Sequence, residues 1–533
     1  MAGSAKVISQ LKMIKQKEKY YIDVGRATDL IDKKERFIYR LLEIVPGFLV
    51  WGTLIGMVLL SWLKPVWIAY FIIAFCCYWL LRSFHFAVHL VVAYKDMQKN
   101  LKADWLAKLN RLAEQDSSKN WKKLYHLVVF PAYKEDLSLI RASFKALVEA
   151  KYPQDRIMVV LSIEERAGEH ARQIKKAIEQ EFGAKFYKLL VTIHPKNLPG
   201  EIPGKGANSS WGAEQMKKQI IDPLNIPYEN IVVSCFDVDT QAYPQYFSCL
   251  AYYYLTNPNP TRCSYQPIPV YFNNFLEAPF FSRVVSATNV FWQMMQQQRP
   301  EKITTYSSHS MPFKALVEMD FWQKNVVSED AGIFWKAFIF YDGDYNIQPI
   351  HYCVSMDACL GNNIWQTIVN LYKQQRRWAW GSEGIPYLFF SFIKNKKIPF
   401  KKKWRYGFLM LESFWAWGTN ALLILCLGWL PLLLGGEDFG TLMLSYNLPR
   451  MTRNLMTIAM LGLIVMVIVN MRLSPLYPII YTKQKKIAIF LQWIFLPVGL
   501  ILFGSIPSID AQTRLMLGRY MGFWVTPKSR QNP

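Results

Sequence analysis

The stretch IVPGFLVWGTLIGMVLLSWL, Ile44 to Leu63, carries no charged side chain and is long enough to cross a hydrocarbon core of about 30 Å as one helix. Such a segment fixes the solvent before it fixes the fold, because in lipid the backbone polar groups have to be satisfied within the segment itself. Further apolar runs follow. PVWIAYFIIAFCCYWLL (Pro65 to Leu81) continues helically through Arg82, Gly407 to Leu434 is apolar apart from Glu412, and Leu455 to Met471 is uninterrupted. Ile487 to Ile506 is a fifth run, broken by Pro497. The polar, Lys-rich residues before Ile44 do not resemble a cleavable signal peptide.

These runs explain a composition that is 52% hydrophobic with 19 tryptophans, high for a soluble globular chain. They also explain the formal net charge of +23 without a nucleic-acid partner. Lys and Arg crowd beside the spans, in KMIKQKEK (Lys12 to Lys19) and KNKKIPFKKKWR (Lys394 to Arg405), as cytoplasmic flanks attracted to anionic lipid do. Cys76, Cys77 and Cys426 fall in spans, and the other cysteines are scattered without a CxxC pair, so reduced thiols and no zinc site are expected.

Between Lys95 and Arg405 the chain is largely polar and alternates strand with helix. YHLVVF (Tyr125 to Phe130), RIMVVLSI (Arg156 to Ile163), KLLVTIHP (Lys188 to Pro195) and NIVVSCF (Asn230 to Phe236) read as buried strands separated by helical patterns. That rhythm predicts an α/β domain with a mainly parallel sheet covered on both faces. Ligands of such sheets bind beyond the carboxyl ends of the strands, and here those ends are polar: PAYKED (Pro131 to Asp136), EER (Glu164 to Arg166), PGKGAN (Pro203 to Asn208) and the pair Asp237 and Asp239. No GxGxxG or GxxxxGK[ST] is present there, which argues against dinucleotide and P-loop sites.

Alternation on an extended backbone points Asp237 and Asp239 to the same side, so both carboxylates can converge at the strand end. Two hard anionic ligands suit Mg²⁺ or Mn²⁺, which keep coordination positions for water and substrate phosphate. In VVSEDAG, Glu329 and Asp330 form a second acidic pair, suited to accepting a proton from an attacking hydroxyl. The same pair suits a helix start, with Ser328 as N-cap and acidic residues in the first turn. YKQQRRWAWG (Tyr372 to Gly381) offers arginine forks for phosphate and an indole face for a sugar ring, or a basic interfacial helix.

Taken in order, DVD, SED and QQRRW resemble the DxD, TED and Q(Q/R)xRW motifs of processive membrane glycosyltransferases of family 2, the cellulose, hyaluronan and chitin synthase group. The resemblance spans nearly all of the polar region and its flanking spans. It implies a GT-A type, Rossmann-like cytosolic glycosyltransferase domain inserted between transmembrane helices. It implies catalytic Asp330 with Glu329 beside it, metal on Asp239 and Asp237, and nucleotide contacts from Tyr133, Glu135, Glu165, Lys205, Asp237 and Arg377, with Glu164 a rival to Glu165. SYQPIP is similar to a QTP-type segment and implies Gln266 near the acceptor, with Gln374, Gln375 and Trp378. FWVTPK matches a gating-loop pattern through Phe523, Val525, Thr526 and Lys528.

The implied organisation is a basic cytosolic segment over 1–42, two transmembrane helices over 43–94 and the catalytic domain over 95–370. Interfacial helices follow over 371–405, two further spans over 406–472, and a hydrophobic segment with the tail over 473–533. Three full spans after the domain would carry FWVTPK across the membrane. The segment from Ile487 to Ile506 is therefore expected to be re-entrant or interfacial. The expected activity is inverting, metal-dependent transfer from a nucleotide-sugar, foremost a UDP-sugar, to a growing polysaccharide at the cell membrane. The alternative acceptor is a lipid or lipid-linked sugar receiving one residue.

Overall fold

The computed structural model describes residues 19–426, 428–473 and 483–527. Five helices are long and apolar enough to cross a membrane: Lys33–Leu63, Pro65–Lys102, Phe400–Cys426, Met443–Leu473 and Ile487–Met516. The second runs on past the apolar stretch to Lys102, where Asn100 Nδ2 donates to the Ile350 carbonyl at 3.0 Å and fastens it to the domain. The third stops at Cys426, and the run expected to continue to Leu434 restarts as a separate turn, Leu430–Leu434. Gly428 and Pro431 both disfavour continuation there.

The domain is built on eight strands: β1 (Tyr125–Ala132), β2 (Ile157–Glu164), β3 (Lys188–His194), β4 (Ile231–Cys235), β5 (Gln241–Ala242), β6 (Cys263–Val270), β7 (Ser310–Pro312) and β8 (Asn346–Ser355). They form one sheet in the order β3-β2-β1-β4-β7-β6-β8-β5. The half β3-β2-β1-β4 is parallel, as expected. The other half is mixed: β7 runs antiparallel to β4 and β6, β8 parallel to β6, and β5 antiparallel to β8. Two short strands can reverse direction without a long crossover, and β7 and β5 are both short.

Burial on both faces follows from the apolar strands. Leu127, Val129, Met158 and Val160 pack on one face, and Val128, Phe130, Val159 and Leu161 on the other. From β1 the chain moves outward to β2 and β3, then returns to place β4 on the opposite side of β1. The carboxyl ends of β1 and β4 therefore flank a topological switch point, the place where such sheets open a crevice.

The packing of the domain is continuous with that of the apolar helices. Leu90, Ala93 and Met97 share one buried cluster with Ile268, Val270, Val290, Phe291 and Trp493. In the last helical segment Trp493 stacks on Phe291 at 5.7 Å, and Gln492 Oε1 accepts from Arg283 Nε at 3.1 Å. At its other end Arg40 Nη1 donates to the Leu515 carbonyl at 2.9 Å, and Gln512 Nε2 to the Phe414 carbonyl at 3.0 Å.

Candidate active site

β4 ends at Cys235, and Asp237 and Asp239 lie in the turn that follows, closed by Thr240 N–H donating to the Asp237 carbonyl at 2.8 Å. The expectation of a continuous strand through both aspartates is thus corrected. The turn gives them different surroundings. Asp237 accepts from Ser307 Oγ at 2.7 Å, and its other oxygen lies 2.7 Å from Lys205 Nζ. Asp239 is fully buried and accepts from the Asp357 backbone amide at 2.9 Å, while Asn273 Nδ2 donates to its carbonyl at 2.9 Å.

Lys205 opens the helix Lys205–Met216, directly after Gly204. Its ammonium also lies 2.8 and 2.7 Å from the two carboxylate oxygens of Asp330 and 3.8 Å from Glu329. Burial opposes a charge on Lys205, but the pull of Asp237 and Asp330 outweighs it and holds the ammonium well above the usual lysine range. Glu329 fares differently. Its oxygens are buried without a side-chain hydrogen bond among the described residues, and burial, reinforced by Asp330, raises its pKa to about 8 against the opposing charges of Lys205 and Arg377.

Ser328 stands at the N-cap position of the helix Glu329–Phe340 but its side chain does not cap it. Its hydroxyl donates to Glu383 Oε1 at 2.6 Å. The same oxygen accepts the backbone amides of Val327 and Ser328, both at 2.9 Å, and Glu383 Oε2 accepts from Trp380 Nε1 at 2.7 Å. Glu383 therefore ties the SED turn to the end of the QQRRW helix. Its sequence neighbourhood, WGSEG, gave no signal of that task.

The segment from Thr305 to Ser310 also had no assigned role in the sequence, yet it crosses the cluster. Thr305 Oγ1 donates to the Asp330 carbonyl at 2.5 Å, Ser307 reaches Asp237, and His309 Nδ1 lies 3.7 Å from Asp330. His309 is fully buried, and burial lowers its pKa, so the ring is neutral. A neutral ring fits its bonds: Nδ1–H points to the Tyr306 carbonyl at 3.0 Å and Nε2 faces Trp322 Nε1 at 3.4 Å. Gln266 is buried behind this segment. Its amide accepts from Tyr306 N–H at 2.8 Å and donates to the Pro267 carbonyl at 3.0 Å, so it holds the loop from inside.

At the end of β1, Glu135 Oε2 accepts from the Tyr133 amide at 2.6 Å, and the Arg166 guanidinium lies 4.7 Å from the Tyr133 ring centre. Arg166 also donates to Glu164, whose carboxyl burial pushes up. Tyr133, Glu135, Glu164 and Arg166 thus form one group at adjacent strand ends. Glu165 stands outside it, exposed, accepting from the Lys196 amide at 3.0 Å.

The QQRRW residues lie on the helix Ile364–Ala379. Arg376 faces away from the carboxylate cluster, donating to Asp510 at 2.8 Å, where Tyr372 and Arg514 also converge. Arg377 faces the cluster closely enough to favour the Glu329 carboxylate and lies 4.9 Å from the Phe523 ring centre. Gln375 is buried with Nε2 unpartnered among the described residues, Gln374 is partly exposed, and Trp378 packs against the cluster that holds Leu90, Phe291 and Trp493. Phe523 brings the tail to the same place, since a Cβ on Gly204 would meet its ring at 2.8 Å. Lys373 lies 5.5 Å from the Trp524 ring, Thr526 is buried with Oγ1 unpartnered among the described residues, Val525 is half-buried, and Lys528 lies outside the described residues. Behind the tail, buried Glu43 accepts from Tyr520 OH at 2.9 Å, from Arg40 at 2.7 Å and from the Ala27 amide at 3.1 Å.

Among the described residues no cluster of three or more His, Cys, Asp or Glu side chains is arranged to hold a metal ion. Asp237 and Asp239 nevertheless supply the hard carboxylate oxygens that Mg²⁺ or Mn²⁺ takes, and such ions are commonly held by one or two carboxylates with substrate phosphate completing the shell. The donor chemistry fits.

No family model and no curated protein matches the chain. Among solved structures it is similar to a mannosyltransferase from Pyrobaculum calidifontis in complex with GDP-Man and Mn²⁺, at 14% identity over 74% of this chain and 99% of that one, with a TM-score of 0.38. It is also similar to residues 1–349 of S. aureus TarS in complex with UDP, at 10% identity over 66% of this chain and 91% of that one, with a TM-score of 0.34.

Proposed function

We propose that the chain is a membrane-embedded inverting glycosyltransferase of the processive family 2 type, moving a sugar from a nucleotide-sugar, foremost a UDP-sugar, to the end of a growing polysaccharide. The observation that carries this reading is Lys205, whose ammonium draws Asp237 of DVD and Asp330 of SED to within 2.8 Å of one atom. Two motifs remote in sequence become one charged centre at the switch point of the sheet.

In this reading the donor's base lies against Tyr133 and Glu135, with Glu164 nearer than Glu165, and its diphosphate competes with the carboxylates for Lys205 and Arg377. Lys205 moving toward phosphate releases Asp330. Asp330 then takes the acceptor hydroxyl proton as that oxygen bonds to the anomeric carbon, and the bond from that carbon to the diphosphate oxygen breaks, inverting the centre. A divalent ion held by Asp239 and Asp237 would neutralise the leaving diphosphate. Gln374, Gln375 and Trp378 receive the acceptor, with Gln266 shaping the loop beside it, and Phe523, Val525 and Thr526 cover the donor. The contacts of the last segment with Phe291 and Arg283 at one end and Arg40 at the other support an interfacial course that leaves the tail on the domain's cytosolic side.

The test is to incubate the purified, detergent-solubilised protein with UDP- and GDP-sugars and Mg²⁺ or Mn²⁺, following nucleotide release and product length together. A long product, lost in Asp330→Asn, supports polymer synthesis. A single added sugar assigns a lipid-linked acceptor instead, and the absence of release with every donor refutes the transfer reading.

A further inference from the structure

A group of cations gathers at the membrane edge of the domain, outside the site described above. Arg82 lies about 26 Å along its helix from Pro65, at the depth where a helix that starts at one face of the bilayer reaches the other. Its guanidinium is 2.9 Å from Tyr78 OH and 3.7 Å from Glu412 on the neighbouring Phe400–Cys426 helix. Within electrostatic reach of Arg82 and Glu412 is the turn after the helix Phe280–Gln297, where Arg299 Nε donates to Glu301 Oε1 at 3.0 Å and Arg405 Nη2 donates to the Glu301 carbonyl at 2.7 Å.

Lys302 completes the group. It is partly buried and makes no ion pair among the described residues. Burial, then the charges of Arg299 and Arg82, push its ammonium below the usual lysine range, against the weaker pull of Glu412 and Glu301. Four cationic side chains thus face two carboxylates, and one of the four is held where its neighbours repel it. An exposed lysine relieves such repulsion by turning into water. The Lys302 backbone amide donates to the Arg299 carbonyl at 2.8 Å, which holds these two cations on one turn.

We infer that Arg82, Arg299, Lys302 and Arg405 form a binding site for a phosphate group at the cytosolic membrane surface, supplied by an anionic lipid headgroup. The missing charge is negative, and guanidinium forks match phosphate oxygens. Basic pockets between membrane helices on the cytoplasmic side take lipid phosphates in this way. The turn that carries Arg299 and Lys302 leads directly into Thr305 and Ser307, so a headgroup here also steadies the segment that crosses the carboxylate cluster. The inference stands apart from the transfer reading, because its test reads binding alone.

The full-length protein in mild detergent is mixed with phosphatidylglycerol or phosphatidylcholine, and bound lipid is counted by native mass spectrometry. A parallel arm adds inorganic phosphate without lipid and follows the thermal midpoint. Wild type is expected to retain phosphatidylglycerol in preference, with retention falling about fivefold for each charge removed in Arg299→Gln and Lys302→Gln. Lys302→Arg is expected to keep it, which separates charge from folding, and Lys401→Gln on the exposed flank to leave it unchanged. Equal retention by wild type and the double variant, or an equal loss in Lys401→Gln, overturns the site. A midpoint that rises with inorganic phosphate in wild type only, with no lipid preference, overturns the lipid source in favour of a soluble phosphate.

Discussion

Lys205 meets Asp330 through both carboxylate oxygens, at 2.8 and 2.7 Å, and Asp237 at 2.7 Å, so one buried ammonium neutralises the ends of two motifs at once. Removing it in Lys205→Ala leaves those carboxylates and Glu329 without their nearest counter-charge, a loss of about 3 kcal/mol. The thermal midpoint in detergent is expected to fall accordingly, and adding Asp330→Asn to that variant to recover part of it. Additive losses would mean that the two side chains do not depend on each other.

Glu329 gives stability a pH slope. Its native pKa, raised by burial to about 8 from 4.5, means that the folded chain binds a proton there which the unfolded chain has released. Stability from this group is complete below 4.5 and is lost as pH rises through about 8. Glu329→Gln is expected to flatten the decline of the thermal midpoint between those limits, and an unchanged decline would place its origin elsewhere.

Glu383 holds the SED turn, with its oxygens spent on Val327, Ser328 and Trp380. Glu383→Gln is expected to lower kcat about tenfold, equivalent to some 1.4 kcal/mol, with donor KM nearly unchanged. Glu383→Ala adds a stability loss of about 2 kcal/mol by leaving buried donors unpaired. A proportional change in KM and kcat across both variants would reduce Glu383 to a general structural role.

The tail lies against the Lys205 loop, where a Cβ on Gly204 would meet the Phe523 side chain at 2.8 Å. Gly204→Ala is expected to displace the tail and raise donor KM several-fold. In the Phe523→Ala background the same change should cost little, because the space it needs has been vacated. Steady-state kinetics on the four combinations decides this.

Much of this architecture was legible because it rests on patterns of one residue type. Apolar runs marked the five helices, and unbroken apolar strands marked β1 to β4. β6 and β8 were not legible as strands, because Pro267, Pro269 and Pro349 remove ladder donors and contradict a central-strand pattern. Within the candidate site, Asp237, Lys205, Asp330 and Arg377 were singled out from sequence, and they do converge. Thr305, Ser307, His309 and Glu383 had no role assigned from sequence because they act through a few hydrogen bonds to groups remote in the chain, which leave no periodic or compositional trace. Glu164 and Glu165 are adjacent, and only the turn after β2 decides which one faces inward.

Glu43 binds the Ala27 amide and Tyr520 OH, groups from opposite ends of the described chain. One carboxylate therefore acts as a shared account between an early turn and a late loop, and thermodynamic reciprocity makes the dependence run both ways. A change that takes the Ala27 amide from Glu43 is therefore expected to alter the hold on Tyr520, and a change at Tyr520 to alter the Ala27 turn through the same coupling free energy.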